Sequence, residues 1–512
     1  MRSILARCKQ FLGKRVVAKI VFIALGISST VWFLVRVIPK PQRATYPCMQ
    51  AAAPVMSGFV VYLLTLFGTV VSFVKMKQLF RQRRFVYGSF FVAVTIIATL
   101  AFLSQKTEKV FAQTATKNLL GANMPVGKER GIFPGRVVWS YMPGVTKWDG
   151  NNGKWYDDSN ISQDGATKML SQTLMTLTGK KTEAKAWEAL FVYFNKVKKG
   201  KALGYQAGQK IAIKINENNN TAHANSDEIN ASPQMVLAIV ASLVNEARVP
   251  QKNITVAEPS RFISDNVYNK VHTAFPDVVL VDNIGGQGRV KSTYVDTAIH
   301  YSANNGKLAR GLATCIVEAD YLINLALLKG HVGQGVTLCA KNFYGVTSIN
   351  NDWRQNAHNN FDQDRNGKPK YMTFVDFMGH KHMGEKTMLF LVDGLIGSKL
   401  VNGAPGPKWN MPPFNNNWPC SLFASQDMVA VDAVCLDFLK SEWPDARDMN
   451  YSDQYLIEAA QADNPPSKTF YDPEHDGVKC TSLGVMEHWN NAKDKKYSRN
   501  LGKSRGIELV KI

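Results

Sequence analysis

The sequence predicts an α/β protein in which three N-terminal transmembrane helices precede a mostly parallel, layered α/β domain. Two observations lead to this fold class. Three long stretches within residues 1–104 are apolar and carry few or no charges, and a helix that crosses a bilayer needs about 20 such residues. Over residues 210–281, short apolar runs alternate with segments of helical periodicity, a pattern typical of a parallel sheet covered by helices.

The three predicted spans are residues 16–38, 52–74 and 86–104. Residues 1–104 contain 14 Lys and Arg but no Asp or Glu, so most of the net charge of +21 lies beside apolar sequence, which argues against nucleic-acid binding. Basic residues cluster before the first span and between the second and third, so both segments are expected in the cytoplasm. We therefore expect a multi-pass membrane protein whose C-terminal domain is extracytoplasmic (periplasmic). If one stretch is only peripheral, that domain lies inside instead.

The predicted organisation has four parts. A membrane domain (1–104) is followed by a linker with the N-terminal part of the outer domain (105–203), a core α/β domain (204–440) and a loop-rich C-terminal extension (441–512). Local signals mark the elements: Gly179 ends one helix, apolar and aromatic residues recur at helical spacing over 182–197, and Ser232-Pro233 supplies a cap and a first-turn proline. Strands are expected at 136–140, 210–215, 254–257, 278–281, 321–328, 388–392 and 422–425, and helices at 165–178, 182–197, 233–248, 262–274, 427–439 and 452–462.

The central stretch, residues 319–345, has the sequence ADYLINLALLKGHVGQGVTLCAKNFYG. Its apolar run at 321–328 predicts a buried strand. Three glycines in residues 330–335 predict a sharp turn that a ligand can approach closely. From Gln334 onward, apolar residues at helical spacing predict the start of a helix. Ligands bind open α/β sheets at the carboxyl ends of the strands, so we expect a site here.

Polar side chains that follow the predicted strands form the candidate site. Lysines, glycine N–H groups and a helix start favour phosphate or carboxylate, and a histidine with an aspartate can act as acid and base. Alternatively, the lysines cap helices or pair with carboxylates such as Asp427 and Asp432. The predicted catalytic residues are His331, Asp393 and Lys329, and the predicted substrate-binding residues are Lys214, Asn216, Thr337, Lys341 and Asn342.

A candidate divalent-metal site comprises His380 and His382, which face the same way if their segment is extended. The pair Asp362 and Asp364 has the ligand spacing that opens a calcium loop, although Thr373 stands where such a loop needs Glu. Both patterns also occur in ordinary surface turns. None of the seven cysteines forms a Cys-x-x-Cys pair, which argues against an iron–sulfur cluster. In an oxidising compartment, Cys420 and Cys480 are the pair expected to form a disulfide.

Besides the central stretch, four segments occur in a recognisable order: KIAIKIN (210–216), NASPQMVLAIVASLVNEA (230–247), LVDGL (391–395) and ASQDMVAVDAVCLDFL (424–439). Together these segments resemble the domain of unknown function 362 family over roughly residues 204–439. The resemblance implies an α/β protein, often associated with iron–sulfur ferredoxin segments, with no settled reaction. This chain lacks the ferredoxin cysteines, so the resemblance supports the domain and its site but no cluster.

Taken together, these patterns favour an enzyme that binds a phosphorylated or carboxylated substrate at the C-terminal edge of its sheet. Two other hypotheses stay open: a redox or electron-transfer accessory protein, and a non-catalytic binding module of the envelope. The expected partners are the membrane and a small anionic ligand. The sequence indicates neither the cofactor, beyond a candidate divalent metal, nor the protein partners.

Overall fold

The structure is a computed structural model, and it describes residues 27–28, 30–32, 35, 74–75, 77–79, 81–82, 118–295, 299–303, 308–309, 311–348, 360 and 362–512. The chain divides into two compact units, Met1–Thr114 and Ala115–Ile512. The second unit contains the candidate site and is described here.

The strands of the described residues include both long central strands and two-residue pairs. They are β1 (Val126–Gly127), β2 (Arg136–Tyr141), β3 (Ile211–Lys214), β4 (Ile254–Glu258), β5 (Val279–Asp282), β6 (Val290–Lys291), β7 (Tyr294–Val295), β8 (Ile299–His300), β9 (Leu308–Ala309), β10 (Leu312–Ala313), β11 (Tyr321–His331), β12 (Gly335–Thr337), β13 (Thr387–Ser398), β14 (Ser421–Ser425), β15 (Val485–Met486) and β16 (Glu508–Lys511).

The helices of the same residues lie mainly between the strands in sequence. They are α1 (Gln163–Thr178), α2 (Glu183–Lys199), α3 (Pro233–Asn245), α4 (Asp265–Ala274), α5 (Thr314–Val317), α6 (Cys339–Asn342), α7 (Thr373–Gly379), α8 (Met428–Glu442) and α9 (Gln454–Ala460). Two of the predicted helix signals are confirmed: Gly179 ends α1 with a left-handed backbone, and Pro233 occupies the first turn of α3. Ser232 stands at the cap position of α3, but its side chain does not cap the helix. Thr182 caps α2 and Asp427 caps α8 through their side chains.

One large sheet organises the unit, with strand order β16-β2-β14-β13-β11-β3-β4-β5-β6 and with β12 paired to β11. Strands β13, β11, β3, β4, β5 and β6 are mutually parallel, whereas β14 is antiparallel to both of its neighbours. The predicted α/β class with a mostly parallel sheet is therefore confirmed. Strands β2 and β16 come from the segments 105–203 and 441–512, so both segments share one sheet with residues 204–440.

The sheet separates two apolar cores, because side chains of a strand point alternately to its two faces. In β11, Ile323 and Leu325 enter the core that contains α1, α2 and α3, whereas Leu322 and Ala326 enter the core that contains α7, α8 and α9. Burial on both faces explains the nearly continuous apolar sequence of this strand. The long apolar run of the central stretch is thus a central strand of the sheet.

No helix among the described residues is both long and apolar enough to cross a membrane. This finding overturns the prediction of three transmembrane helices and, with it, the multi-pass membrane localisation and the extracytoplasmic placement of the C-terminal domain. The predicted spans 16–38, 52–74 and 86–104 lie almost wholly outside the described residues. The physical reason for the correction is that apolar composition is only one requirement, since a span also needs a continuous helix of about 20 residues.

The glycine-rich part of the central stretch forms a β-hairpin. Strand β11 continues to His331, the chain turns, and β12 returns antiparallel from Gly335, with positive φ angles of 76° at Gly333 and 91° at Gly335. The predicted helix start at Gln334 is therefore wrong, and α6 begins at Cys339. Apolar side chains at helical spacing did not distinguish a helix from a hairpin followed by a short helix.

Cys420 and Cys480 are both free thiols, so the predicted disulfide is wrong. Cys420 is buried in the core that contains α1 and α2, and Cys480 packs against the other core. The sheet lies between the two cores, and a disulfide requires Cα atoms within about 7 Å. The loop-like sequence around each cysteine correctly indicated that the residue lies outside a strand. It did not indicate on which face of the sheet each cysteine packs.

Candidate functional site

Charged side chains end four neighbouring parallel strands. Lys214 ends β3, Glu258 ends β4 and Asp282 ends β5, while Lys329 lies near the end of β11. All four are at most 2% exposed. The register places Lys214 beside Asn324 of β11, and Glu258 beside Asp282. Because the carboxyl ends of parallel strands meet at one edge of a sheet, this edge concentrates buried charge.

Lys214 forms a buried ion pair at this edge. Its Nζ lies 2.9 Å from Oε2 of Glu258, and it also donates to Oδ1 of Asn342 at 3.0 Å and to the carbonyl of Ile215. Burial lowers the pKa of Lys214, although Glu258 acts in the opposite direction. The charge of Lys214 is thus largely compensated within the protein.

Asn342 joins the strands beneath the site. Its Nδ2 donates to Oδ1 of Asn324 at 2.8 Å and to the carbonyl of Leu325 at 3.2 Å. Its Oδ1 accepts hydrogen bonds from Lys214 and from Nδ2 of Asn216, the latter at 3.2 Å. This amide therefore ties α6 to β11 and β3 and fixes the floor of the site.

A small pocket opens above Asn342. It contains about 20 Å³ of free space, roughly enough for one water molecule. All five predicted substrate-binding residues and one predicted catalytic residue line it, so the fold brings these six together from two segments of the chain. The lining comprises Lys214, Asn216, His331, Thr337, Lys341 and Asn342, with Asn218, Glu258, Ser260, Tyr344 and Gly345.

Lys341 and His331 lie at the mouth of the pocket, and both are partly exposed. The ammonium group of Lys341 lies 5.0 Å from the centre of the Tyr344 ring. Thr337 is buried and donates to the carbonyl of Gly330 at 3.3 Å, across the β11–β12 hairpin. The hairpin and the following short helix thus place a cation, an imidazole and a hydroxyl around one opening.

Lys329 is fully buried and does not line the pocket. Its Nζ donates to the carbonyl of Ile229 at 3.3 Å. Burial, together with the charge of Lys341, lowers the pKa of Lys329 to about 7. Because β11 extends three residues beyond the predicted end of the strand, this lysine lies within the sheet and not in the turn. Its predicted catalytic role stays a prediction.

Asp393 is also buried, and its hydrogen bonds are to the backbone and side chains of neighbouring elements. Its Oδ2 accepts from the N–H and the hydroxyl of Ser232, at 3.1 and 2.5 Å, and its Oδ1 accepts from the N–H of Leu395 at 3.0 Å. Ser232 is the residue that precedes α3. Asp393 therefore anchors the start of this helix to β13 and lies outside the pocket lining.

The helix start in the central stretch is occupied by an internal carboxylate. The N–H groups of Cys339 and Ala340 donate to Asp432 of α8 at 2.9 and 3.0 Å. Burial raises the pKa of Asp432 to about 6. Asp432 therefore takes up the two N–H groups at the start of α6. The predicted contribution of glycine N–H groups to ligand binding stays a prediction.

Glu217 and Glu258 were missed by the reasoning from sequence. Glu217 is fully buried, burial raises its pKa to about 8, and its Oε2 accepts from the hydroxyl of Ser264 at 3.0 Å. Its Oε1 has no hydrogen-bond partner among the described residues. Glu217 follows the predicted strand 210–215, and Glu258 follows the predicted strand 254–257. The rule that selected polar side chains after predicted strands would therefore have selected both glutamates.

The two candidate metal motifs lie in separate places. The rings of His380 and His382 are 5.7 Å apart, and burial lowers the pKa of each to about 4. The Asp364 carboxylate accepts hydrogen bonds from two N–H groups of a local turn. Asp362 lies beside Gly333 of the hairpin. Across the described part of the chain, no three His, Cys, Asp or Glu side chains are grouped as a metal ion requires. Metal binding at these residues stays a prediction.

Comparison with known proteins identifies one family over this region. The family described as "Domain of unknown function (DUF362)" matches residues 211–437, a range that contains every residue lining the pocket. No curated protein and no solved structure matches the chain.

Proposed function

The chain belongs to the DUF362 family, and we propose that it binds a small phosphorylated or carboxylated substrate in the pocket at the carboxyl ends of β3, β4 and β11. The observation that carries this proposal is the convergence of Lys214 of β3, His331 of β11 and Lys341 of α6 on one opening. Ligands of open α/β sheets bind at this edge.

The charge balance of the pocket favours an anion. Two lysines, Lys214 and Lys341, face one carboxylate, that of Glu258. Lys214 and Glu258 form an ion pair. We assign the contact with the ligand to Lys341 at the mouth, and the Thr337 hydroxyl lies within the same lining. The free space, about that of one water molecule, admits only part of the anionic group, so the rest of the substrate extends outside the pocket.

His331 is the group that we propose for acid–base chemistry. It lies at the mouth, where a bound substrate reaches it, and an imidazole can both accept and donate a proton. Lys329 and Asp393 are left out of this mechanism because neither lines the pocket.

The binding proposal is tested with the full chain, inorganic phosphate and acetate, by isothermal titration calorimetry. Lys341→Ala should weaken binding of the preferred anion by about tenfold or more, since a hydrogen bond to a charged group contributes about 1.5–3 kcal/mol. Lys252→Ala is the matched control, because Lys252 is exposed and precedes β4 at the opposite edge of the sheet. Equal affinities in the two variants, or no binding of either anion, would contradict the proposal.

A second variant blocks the pocket without changing its charge. A Cβ at Gly345 would lie 2.7 Å from Oε1 of Glu258 and 2.9 Å from Nζ of Lys214. Gly345→Ala should therefore weaken anion binding while circular dichroism stays unchanged. Unaltered binding would place the anion elsewhere.

Turnover separates an enzyme from a binding module. Against a panel of phosphate monoesters and carboxylate esters, His331→Gln should lower kcat while the affinity for the anion stays close to that of the wild type. If the wild-type chain binds the anion but turns over none of these compounds, the non-catalytic reading is favoured.

A further inference from the structure

A second and larger cavity, of about 290 Å³, lies at the opposite, amino-terminal edge of the parallel strands. It adjoins Thr387, the first residue of β13, whereas the anion pocket lies at the carboxyl ends of the strands. None of its lining residues belongs to the anion pocket. The cavity is therefore independent of the site described above, and its volume approaches that of small-molecule sites, about 300 Å³ and more.

One wall of this cavity is apolar and comes from separate elements. Phe194 comes from α2, Met388 and Phe390 from β13, and Met428 from α8, and all four are at most 6% exposed. Leu483 of the C-terminal segment completes the wall. A fixed apolar surface of this kind binds hydrocarbon because water is released from both sides.

The rim of the cavity carries two cations that share one carboxylate. Arg130 Nη1 lies 2.7 Å from Oε1 of Glu385, and Lys198 pairs with the other oxygen. Each of the three side chains is between a quarter and a third exposed, so all are open to solvent. The remaining charged lining residues, Lys128 and Glu129, carry opposite charges, and Glu129 lies 3.6 Å from Arg499 outside the lining. The rim thus has one positive charge in excess.

The pKa of Lys198 reflects its burial and the neighbouring cation. Burial, together with the charge of Arg130, lowers the pKa of Lys198 to about 8. The backbone N–H of Arg130 donates to Asp427 at 3.0 Å, but burial raises the pKa of Asp427 to about 7, so this carboxyl offers only part of a negative charge near neutral pH. A second anion at the rim would compensate both cations.

We propose that this cavity binds a monocarboxylate with a short apolar tail. The ligand carboxylate lies at the rim beside that of Glu385, where the Arg130 guanidinium and the Lys198 ammonium donate charge-assisted hydrogen bonds to it. The tail lies against Phe194, Met388 and Phe390. An ion without an apolar tail leaves this wall unfilled, so inorganic phosphate is a poor ligand here.

The experiment titrates the full chain with octanoate by isothermal titration calorimetry, with octanamide as the neutral analogue. Octanoate should bind, and octanamide should bind about tenfold or more weakly. Lys198→Met keeps much of the apolar stem and should weaken octanoate binding by a similar factor. Lys196→Met is the matched control on the same helix, since Lys196 is exposed and outside the lining. Glu385→Gln removes the competing carboxylate and should tighten binding.

Several results would overturn the proposal. These are no binding of octanoate to the wild-type chain, equal affinity for octanoate and octanamide, or equal effects of the Lys198 and Lys196 variants. Displacement of octanoate by saturating phosphate would place it in the anion pocket and also overturn the assignment. If the circular dichroism spectrum of Lys198→Met shows that this variant is unfolded, the Glu385→Gln variant provides the test. Weaker or unchanged octanoate binding in Glu385→Gln then rejects the site. None of these outcomes decides the separate proposal that an anion binds in the first pocket.

Discussion

At the scale of single residues, buried charges in this protein are held by partners that are distant in sequence. His488 is an example outside both sites. It is 2% exposed, its Nδ1 lies 2.6 Å from Oδ1 of Asp437, and its Nε2 lies 3.1 Å from Oδ2 of Asp453. Burial alone would lower the pKa of His488, but the two carboxylates outweigh burial and raise the pKa to about 9. His488 is therefore an imidazolium that joins α8 to the segment before α9.

We expect His488→Leu to lower the free energy of unfolding by about 3–5 kcal/mol near pH 6, because it leaves buried carboxylates without their counter-charge. The folded pKa lies above the unfolded value of about 6.5. The stabilisation is therefore fully present below about pH 6.5 and is lost as the pH rises through about 9. Urea unfolding of the wild type and of His488→Leu at about pH 6 and pH 9.5 measures how the difference in their free energies of unfolding depends on pH.

The control for this prediction is His272→Leu, since His272 is exposed on α4. His272→Leu should change the free energy of unfolding only slightly at both pH values. A loss of stability in His488→Leu that is the same at both pH values would show that packing, not charge, is responsible.

At the scale of elements, the β11–β12 hairpin positions the mouth of the anion pocket. His331 ends β11, Thr337 ends β12, and Lys341 lies in the short helix that follows. The turn is possible because Gly333 and Gly335 adopt positive φ angles, which other residues rarely adopt. The hairpin also packs closely against the segment before α9, since a Cβ at position 335 would collide with the Ser452 hydroxyl and the Asp448 carbonyl.

Gly335→Ala should therefore be more destabilising than Gly208→Ala. Both glycines have almost the same φ, 91° and 89°, but nothing lies within 4 Å of a Cβ at position 208. Gly208→Ala should cost about 1–2 kcal/mol for the left-handed backbone. Gly335→Ala should cost about 1–3 kcal/mol more because of overpacking. Chemical denaturation measures the loss in free energy of unfolding for each of the two variants. Equal losses would mean that the hairpin moves freely away from Ser452.

At the scale of the whole molecule, the sheet joins segments from both ends of the second unit. Strand β16, the last in the chain, pairs in parallel with β2, and Leu509 faces Val137 in this register. The pairing continues at Ile512, whose N–H donates to the carbonyl of Trp139 at 3.0 Å. Without β16, one edge of β2 would expose its backbone hydrogen-bonding groups.

Removing residues 508–512 should lower the free energy of unfolding by about 2 kcal/mol or more, since burial of one leucine alone contributes about 1.5–3 kcal/mol. The exposed edge of β2 should also promote association between chains. Urea unfolding and light scattering measure the two effects. Leu501→Ala is the control, because Leu501 is 47% exposed beside the same strand. A truncated chain as stable and as monodisperse as this control would contradict the structural role of β16.

The sequence by itself determined the α/β class and most elements of the second unit, because periodicity and capping depend on residues a few positions apart. Gly179 marked a helix end and Pro233 a helix start in this way. It also identified six residues that line one pocket, since parallel strands place their carboxyl ends at one edge.

The tertiary structure decided what each charged residue contacts. Asp393 holds the start of α3, Asp432 occupies the helix start of the central stretch, and Lys214 is neutralised by Glu258. It also decided that Cys420 and Cys480 lie on opposite faces of the sheet. These partners are set by strand order and register, which join residues 40 to 370 positions apart and leave no local trace in the sequence. Local chemistry can therefore propose a functional side chain, whereas its pairing depends on contacts that only the assembled sheet creates.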